Sequence, residues 1–167
     1  MRLLTILFLF LFLFSCVEER PCPDFVADKI GFEIDKYQEK LSFINQEGAI
    51  RIFRRSDLHE KTDSKFIASP LNHTDCRNGF FIDYIDTLGI SIQYDIYHTE
   101  NKGYVFNLEL QTLEHGIFFD SIPELTFKKD FSKRQLYFRS IEVKDGIVVS
   151  FEDENGVVWT QQKEGSE

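Results

Sequence analysis

The sequence predicts an all-β protein, an antiparallel β-sandwich or flattened barrel of about ten short strands. Three observations predict it. Aromatic residues make up 15% of the chain, led by 18 Phe, and aromatic and β-branched residues favour a pleated, half-buried surface. Apolar and polar residues alternate with period two through the middle of the chain, as a strand with one wet face requires. Glycine-bearing turn signals recur between these runs, while helix-period patterns are scarce.

Taken in order, residues 41–45 are apolar, Gln46-Glu47-Gly48 follows, and residues 49–54 are again mostly apolar. Together they predict a hairpin with Gly48 at the tight position. Residues 34–43 could form a short amphipathic helix. Residues 55–65 are polar and aperiodic and read as a loop, residues 66–68 as a short strand, and residues 70–78 as a second loop. The clearest signal comes next. Phe80, Ile82 and Tyr84 alternate with Phe81, Asp83 and Ile85; a turn at Asp86-Thr87-Leu88-Gly89 leads to Ile90, Ile92, Tyr94 and Ile96 on one face. After a turn at residues 98–103, Tyr104, Phe106, Leu108 and Leu110 share a face, completing a predicted meander. Residues 117–119 and 125–127 are weaker strands separated by Ile122-Pro123. Residues 136–143, 147–152 and 157–161 complete the set, joined by Lys144-Asp145-Gly146 and by Asp153-Glu154-Asn155-Gly156. Asn-Gly supplies the positive φ that hairpin turns need. No internal repeat is evident from spacing.

The amino terminus differs from the rest. Met1-Arg2 precedes an almost unbroken apolar run to Phe14, closed by Val17-Glu18-Glu19-Arg20. The run is shorter than the roughly 20 apolar residues that span a bilayer, and matches the charged and apolar regions of a secretory signal. Within it, Leu13-Phe14-Ser15-Cys16 resembles the lipobox of bacterial lipoproteins. That resemblance implies diacylglycerol on the Cys16 sulfur, cleavage just before it, and acylation of the new amino group by chains such as palmitate. Two or more acyl chains anchor a protein stably where one holds marginally. The implied partner is the lipid bilayer. Val17 after the cysteine leans toward the outer membrane, and Glu18-Glu19 is similar to the acidic stretches of surface-exported lipoproteins. Residues 22–25, Cys-Pro-Asp-Phe, and residues 146–160 resemble a group of small flavobacterial lipoproteins, which supplies a compartment and a fold class but no activity. The expected division is a signal peptide over 1–15, the lipidated cysteine and tether over 16–30, one β-rich domain over 31–162, and a frayed tail over 163–167.

One of the 19 basic residues lies in the leader, so the mature chain carries 18 against 28 acidic residues. This surplus argues against nucleic acid as a partner. With Cys16 acylated, Cys22 and Cys76 remain, and in an exported chain they most simply form one disulfide. Two free thiols, or a metal site with His73 three residues before Cys76, are the alternatives. A lone His-x-x-Cys lacks the second ligand pair of a closed zinc site, so no metal and no cofactor are expected.

Catalytic signals are weak. His59, His73, His98 and His115 have no nucleophile at motif spacing, and no Gly-x-Ser-x-Gly occurs. Carboxylates are plentiful, among them Asp83, Asp86, Asp95, Glu109, Asp120, Asp153 and Glu154, as an acidic chain requires. A glycan or lipid hydrolase using an acidic pair is one alternative to a non-enzymatic binding or structural accessory; a carrier of a small apolar ligand, lined by aromatics such as Trp159, Phe80 and Tyr94, is another. Asp86-Thr87-Leu88 and Asp120-Ser121-Ile122 are similar to the Asp-Ser/Thr-apolar acceptor of O-glycosylation in Bacteroidota, which marks Thr87 and Ser121.

Overall fold

The computed structural model describes residues 18–62, 65–69, 72–74, 76–99, 103–110, 113–119, 121–131 and 137–162. The chain is built from β1 (Glu18–Pro21), a single helical turn α1 (Ala27–Ile30), a 3-10 turn (Ile34–Lys36), β2 (Lys40–Asn45), β3 (Ile50–Lys61), β4 (Lys65–Ser69), β5 (Asn72–Thr74), β6 (Asn78–Ile85), β7 (Ser91–Thr99), β8 (Gly103–Leu110), β9 (Leu113–Phe119), a second 3-10 turn (Ile122–Glu124), β10 (Phe127–Asp130), β11 (Phe138–Lys144), β12 (Ile147–Asp153) and β13 (Val158–Gln161). Ten strands form one sheet in the order β10-β11-β12-β13-β2-β3-β6-β7-β8-β9, and β1-β4-β5 form a second, small one. Every pairing is antiparallel. The architecture is all-β, as the sequence predicts.

The large sheet curls into a half-barrel because its apolar faces seek each other. Phe106 on β8 meets Phe127 on β10 with ring centroids 6.5 Å apart, and the Val148 amide on β12 donates to the Tyr94 hydroxyl on β7 over 3.2 Å. Between these wings sit Phe43, Phe53, Phe138 and Phe151, all fully buried. Edge-to-face rings hold them, with Phe43 and Phe151 centroids 5.0 Å apart, the geometry aromatic quadrupoles prefer.

Several expectations need correction. Residues 55–61 are strand, not loop: β3 pairs with β6 through Lys61↔Gly79, with a bulge between Arg55 and Asp57. Ser56 is the extra residue at the bulge, and Leu58 is the single apolar residue over 55–61, so no alternation marks this half of the strand. Residues 34–43 do not form a helix. A 3-10 turn covers Ile34–Lys36 and β2 begins at Lys40, so buried Tyr37 reaches the core from the cap of the turn and Leu41 from β2. Residues 72–74, expected as loop, pair with β4. The predicted meander stands as β6, β7 and β8. It also holds an obligatory glycine: a Cβ on Gly79 would lie 1.9 Å from the Ile96 carbonyl oxygen.

Three hairpins share one turn, at irregular spacing along the sequence. In Asn45-x-x-Gly48-Ala49, Asp86-x-x-Gly89-Ile90 and Asp153-x-x-Gly156-Val157, the first residue's side-chain Oδ1 accepts the amides two and four residues on. Its backbone amide donates to the carbonyl four residues on. The glycine takes φ of 77° to 81°, a region side chains avoid. All three turns lie at the same end of the half-barrel, called here the turn end. The opposite end is covered by residues 22–37 and called the strap end.

Candidate functional site

The strap begins where the expected anchor ends. Cys16 lies outside the described residues. Two residues later β1 pairs with β4, from Glu18↔Ala68 to Pro21↔Lys65. Pro21 and Pro23 restrict the backbone on both sides of Cys22, and Cys22 is bonded to Cys76, 54 positions further along the sequence, with Cα atoms 5.4 Å apart. The disulfide expectation therefore holds in the structure, and it removes Cys76 as a thiolate partner for His73. Asn78 Nδ2 then donates to the Pro23 carbonyl over 2.9 Å, and the His98 ring lies 3.1 Å from the Asp24 carbonyl through Nδ1. Phe25 packs edge-on against Phe32, Phe80 and Tyr104. The stretch read as a tether thus carries structure of its own, ending in α1 with Ile30 in the core.

Three phenols gather where the strap meets the barrel. Tyr37 donates to the Gly146 carbonyl, Tyr84 donates to the Gln38 carbonyl over 2.8 Å, and Tyr94 accepts from Val148. Burial pushes all three phenol pKa values well above the ordinary value, because an anion in this apolar interior would lose its hydration. For Tyr37 the neighbouring phenols Tyr94 and Tyr84 raise it further.

At the turn end the distinctive side chain is Arg51. It points inward beside Phe53, and its Nη2 donates to Asp86 Oδ2 in an ion pair whose side chains are 11% and 2% exposed. The guanidinium also lies over the Tyr137 ring, 4.2 Å from its centroid, with Phe53 and Trp159 further off; stacking of this kind suits a weakly hydrated planar cation. Asp153 is the second buried carboxylate. Besides its two turn amides it accepts from Trp159 Nε1 over 3.0 Å. Among the described residues, Arg51 Nε and the Tyr137 hydroxyl in this cluster, and Asp83 Oδ1 at the β3 bulge, are buried without a hydrogen-bond partner. Sequence reading overlooked this cluster, although Asp/Asn-x-x-Gly recurring before an apolar residue was a usable signal.

The marked glycosylation residues part company. Thr87 is exposed in the Asp86 turn, whereas Ser121 is half-buried just before the second 3-10 turn. Asp86, the acid of the first acceptor tripeptide, is turned inward on Arg51; Asp120 lies outside the described residues. Of the histidines, His59 meets Asp57 at 3.0 Å on the exposed face, and His98 stacks on Tyr104. Ser56 donates to Asp83 at the bulge. Trp159, Phe80 and Tyr94 all pack in or against the core cluster. A shallow depression of about 280 Å³ is lined by Glu39, Lys40, Arg54 and Arg55. Among the described residues no three His, Cys, Asp or Glu side chains gather as a metal site, and no helix is long and apolar enough to cross a membrane. Comparison with family models, curated proteins and solved structures finds no significant match.

Proposed function

We propose that this chain is an envelope lipoprotein, held to the outer membrane by acyl chains on Cys16, whose β body serves as a binding or structural accessory. The observation that carries the reading is the Cys22–Cys76 disulfide, six residues beyond a cysteine in lipobox context. Disulfides persist in oxidising compartments and are rare in the cytosol, so the bond and the leader point to the same export route.

The two carboxylates buried among the described residues, Asp86 and Asp153, support an accessory over a hydrolase. Asp86 is engaged by Leu88, Ile90 and Arg51, and Asp153 by Asn155, Val157 and Trp159. Each serves a turn and a neighbouring strand, with its oxygens committed to donors inside the fold.

Intact mass of the protein from native membranes, with and without reductant, tests the proposal. A chain starting at Cys16 with acyl chains, two hydrogens lighter before reduction, is expected. Hexose-type increments that vanish in Thr87→Ala would add the glycan. A chain starting at Met1, or a cleaved chain without lipid, overturns the anchor. Protease shaving of whole cells decides the face of the membrane.

A further inference from the structure

We propose that the three-stranded sheet β1-β4-β5 rests in the headgroup layer and holds the half-barrel at a fixed attitude, with the turn end facing away from the bilayer. This rests on acylation of Cys16 and names the surface that meets the lipid.

Chain length carries the argument. An acylated cysteine keeps its α-carbon at the boundary of acyl chains and headgroups. Glu18, the first residue of β1, is two residues along, and a residue spans at most about 3.6 Å, so Glu18 lies within about 7 Å of the anchor. Glu18 pairs with Ala68, and the adjoining Ser69 pairs with Asn72. The edge of the small sheet bearing the β4–β5 connection is therefore brought to the headgroups with it.

The strap then removes the freedom to swing. A flexible tether of n residues spreads over about 5–6 Å times the square root of n. Here β1 is hydrogen-bonded from Glu18 onward, Cys22 is bonded to Cys76, and Pro23, Asp24 and Phe25 are held by Asn78, His98 and Tyr104. Val17 is the whole length between the anchor and the first paired residue.

Charge favours the same attitude. β1, β4 and β5 contain Glu18, Glu19, Arg20 and Lys65 as their charged residues, a formal balance, while the whole chain carries −9. An anionic headgroup layer repels the acidic body and tolerates the neutral sheet. β6 runs from Gly79, paired with Lys61 at the strap end, to Ile85, paired with Arg54, which carries the Asp86 turn about 20–25 Å further along the strands from the strap end.

The test uses the acylated full-length protein in vesicles of phosphatidylethanolamine with a minority of phosphatidylglycerol. A bimane label is placed through Ser69→Cys, Asn72→Cys or Leu88→Cys, with the native disulfide intact, and quenched by headgroup-nitroxide lipid. Quenching several-fold stronger at 69 and 72 than at 88 is expected. The Cys22→Ser/Cys76→Ser variant labelled at 69 should lose much of that contrast. Equal quenching at all three sites, on protein whose mass shows the acyl chains, overturns the attitude and leaves the anchor standing. Protein without acyl chains overturns both.

Discussion

The two ends of the half-barrel are held by opposite kinds of chemistry. The strap end joins parts of the chain that are far apart in sequence: the disulfide spans 54 residues, Asn78 reaches back 55 to Pro23, and Tyr37 reaches 109 forward to Gly146. The turn end is assembled locally, from side chains bonding amides two and four residues away, with the Arg51–Asp86 pair as its main long-range tie. Local turns form without closing long loops; the strap end has to overcome that closure entropy. The turn end can therefore specify strand register early, whereas the strap end locks the finished half-barrel. It also makes the two ends separately breakable.

Alkaline pH strikes the strap end and has the largest expected effect. Tyr37, Tyr84 and Tyr94 have folded pKa values raised above the ordinary value. Below about pH 10 the phenols are protonated in both states and stability is unaffected. Above it the unfolded chain releases protons that the folded chain retains, so stability falls as pH rises, by about 1.4 kcal/mol per phenol per pH unit. Urea midpoints between pH 9 and 12 should show this fall, and Tyr94→Phe should make it shallower. A flat profile would mean that the phenols are reached by solvent.

Asp86→Ala should break the turn end. It strands the Arg51 guanidinium among Tyr137, Phe53 and Trp159, and losing one partner of a buried pair costs about 3–5 kcal/mol. Asp86→Asn keeps the two turn amides satisfied and should cost less. A midpoint unchanged in both variants would show that the pair contributes nothing net.

Cys22→Ser/Cys76→Ser should cost about 4 kcal/mol in the chain-entropy account of a loop this long. Hydrogen exchange should locate the damage: faster exchange at α1 and β1, with the Asp86 and Asp153 turns unchanged. Faster exchange spread evenly through the sheet would erase the distinction between the ends.

How far the sequence spoke follows from the same contrast. The hairpins were legible because Asn or Asp and Gly occupy positions whose backbone demands them. The disulfide was legible because setting Cys16 aside left two cysteines. The rest of the strap was not, since Asn78, His98 and Tyr104 meet it across 55 to 78 residues. The second half of β3 reads as a loop because Leu58 is its single apolar residue. Arg51 marks a deeper limit. Alternation across Ile50, Arg51, Ile52 and Phe53 defines two faces without saying which is inside, and hydrophobicity favours the isoleucines. The structure exposes Ile50 by 60% and Ile52 by 37% and turns Arg51 inward, because Phe53 must face the core and Asp86 waits to pair the charge.

The smallest prediction separates the turn from the ion pair. Asn45 makes the same two side-chain bonds as Asp86, to the Glu47 amide at 3.1 Å and the Ala49 amide at 2.8 Å, but in an exposed turn. Asn45→Ala leaves two amides that water can solvate, so the loss should be only about 1 kcal/mol. Asn45→Asp should retain both bonds, with Glu47 beside it offsetting part of any charge-assisted gain. Thermal unfolding of Asn45→Ala beside Asp86→Ala then gives the worth of the turn geometry in an exposed setting, and the difference holds the Arg51 pair together with the greater burial of the Asp86 turn bonds. Equal losses would place the whole stabilisation in the turn and leave the buried pair as a device for register.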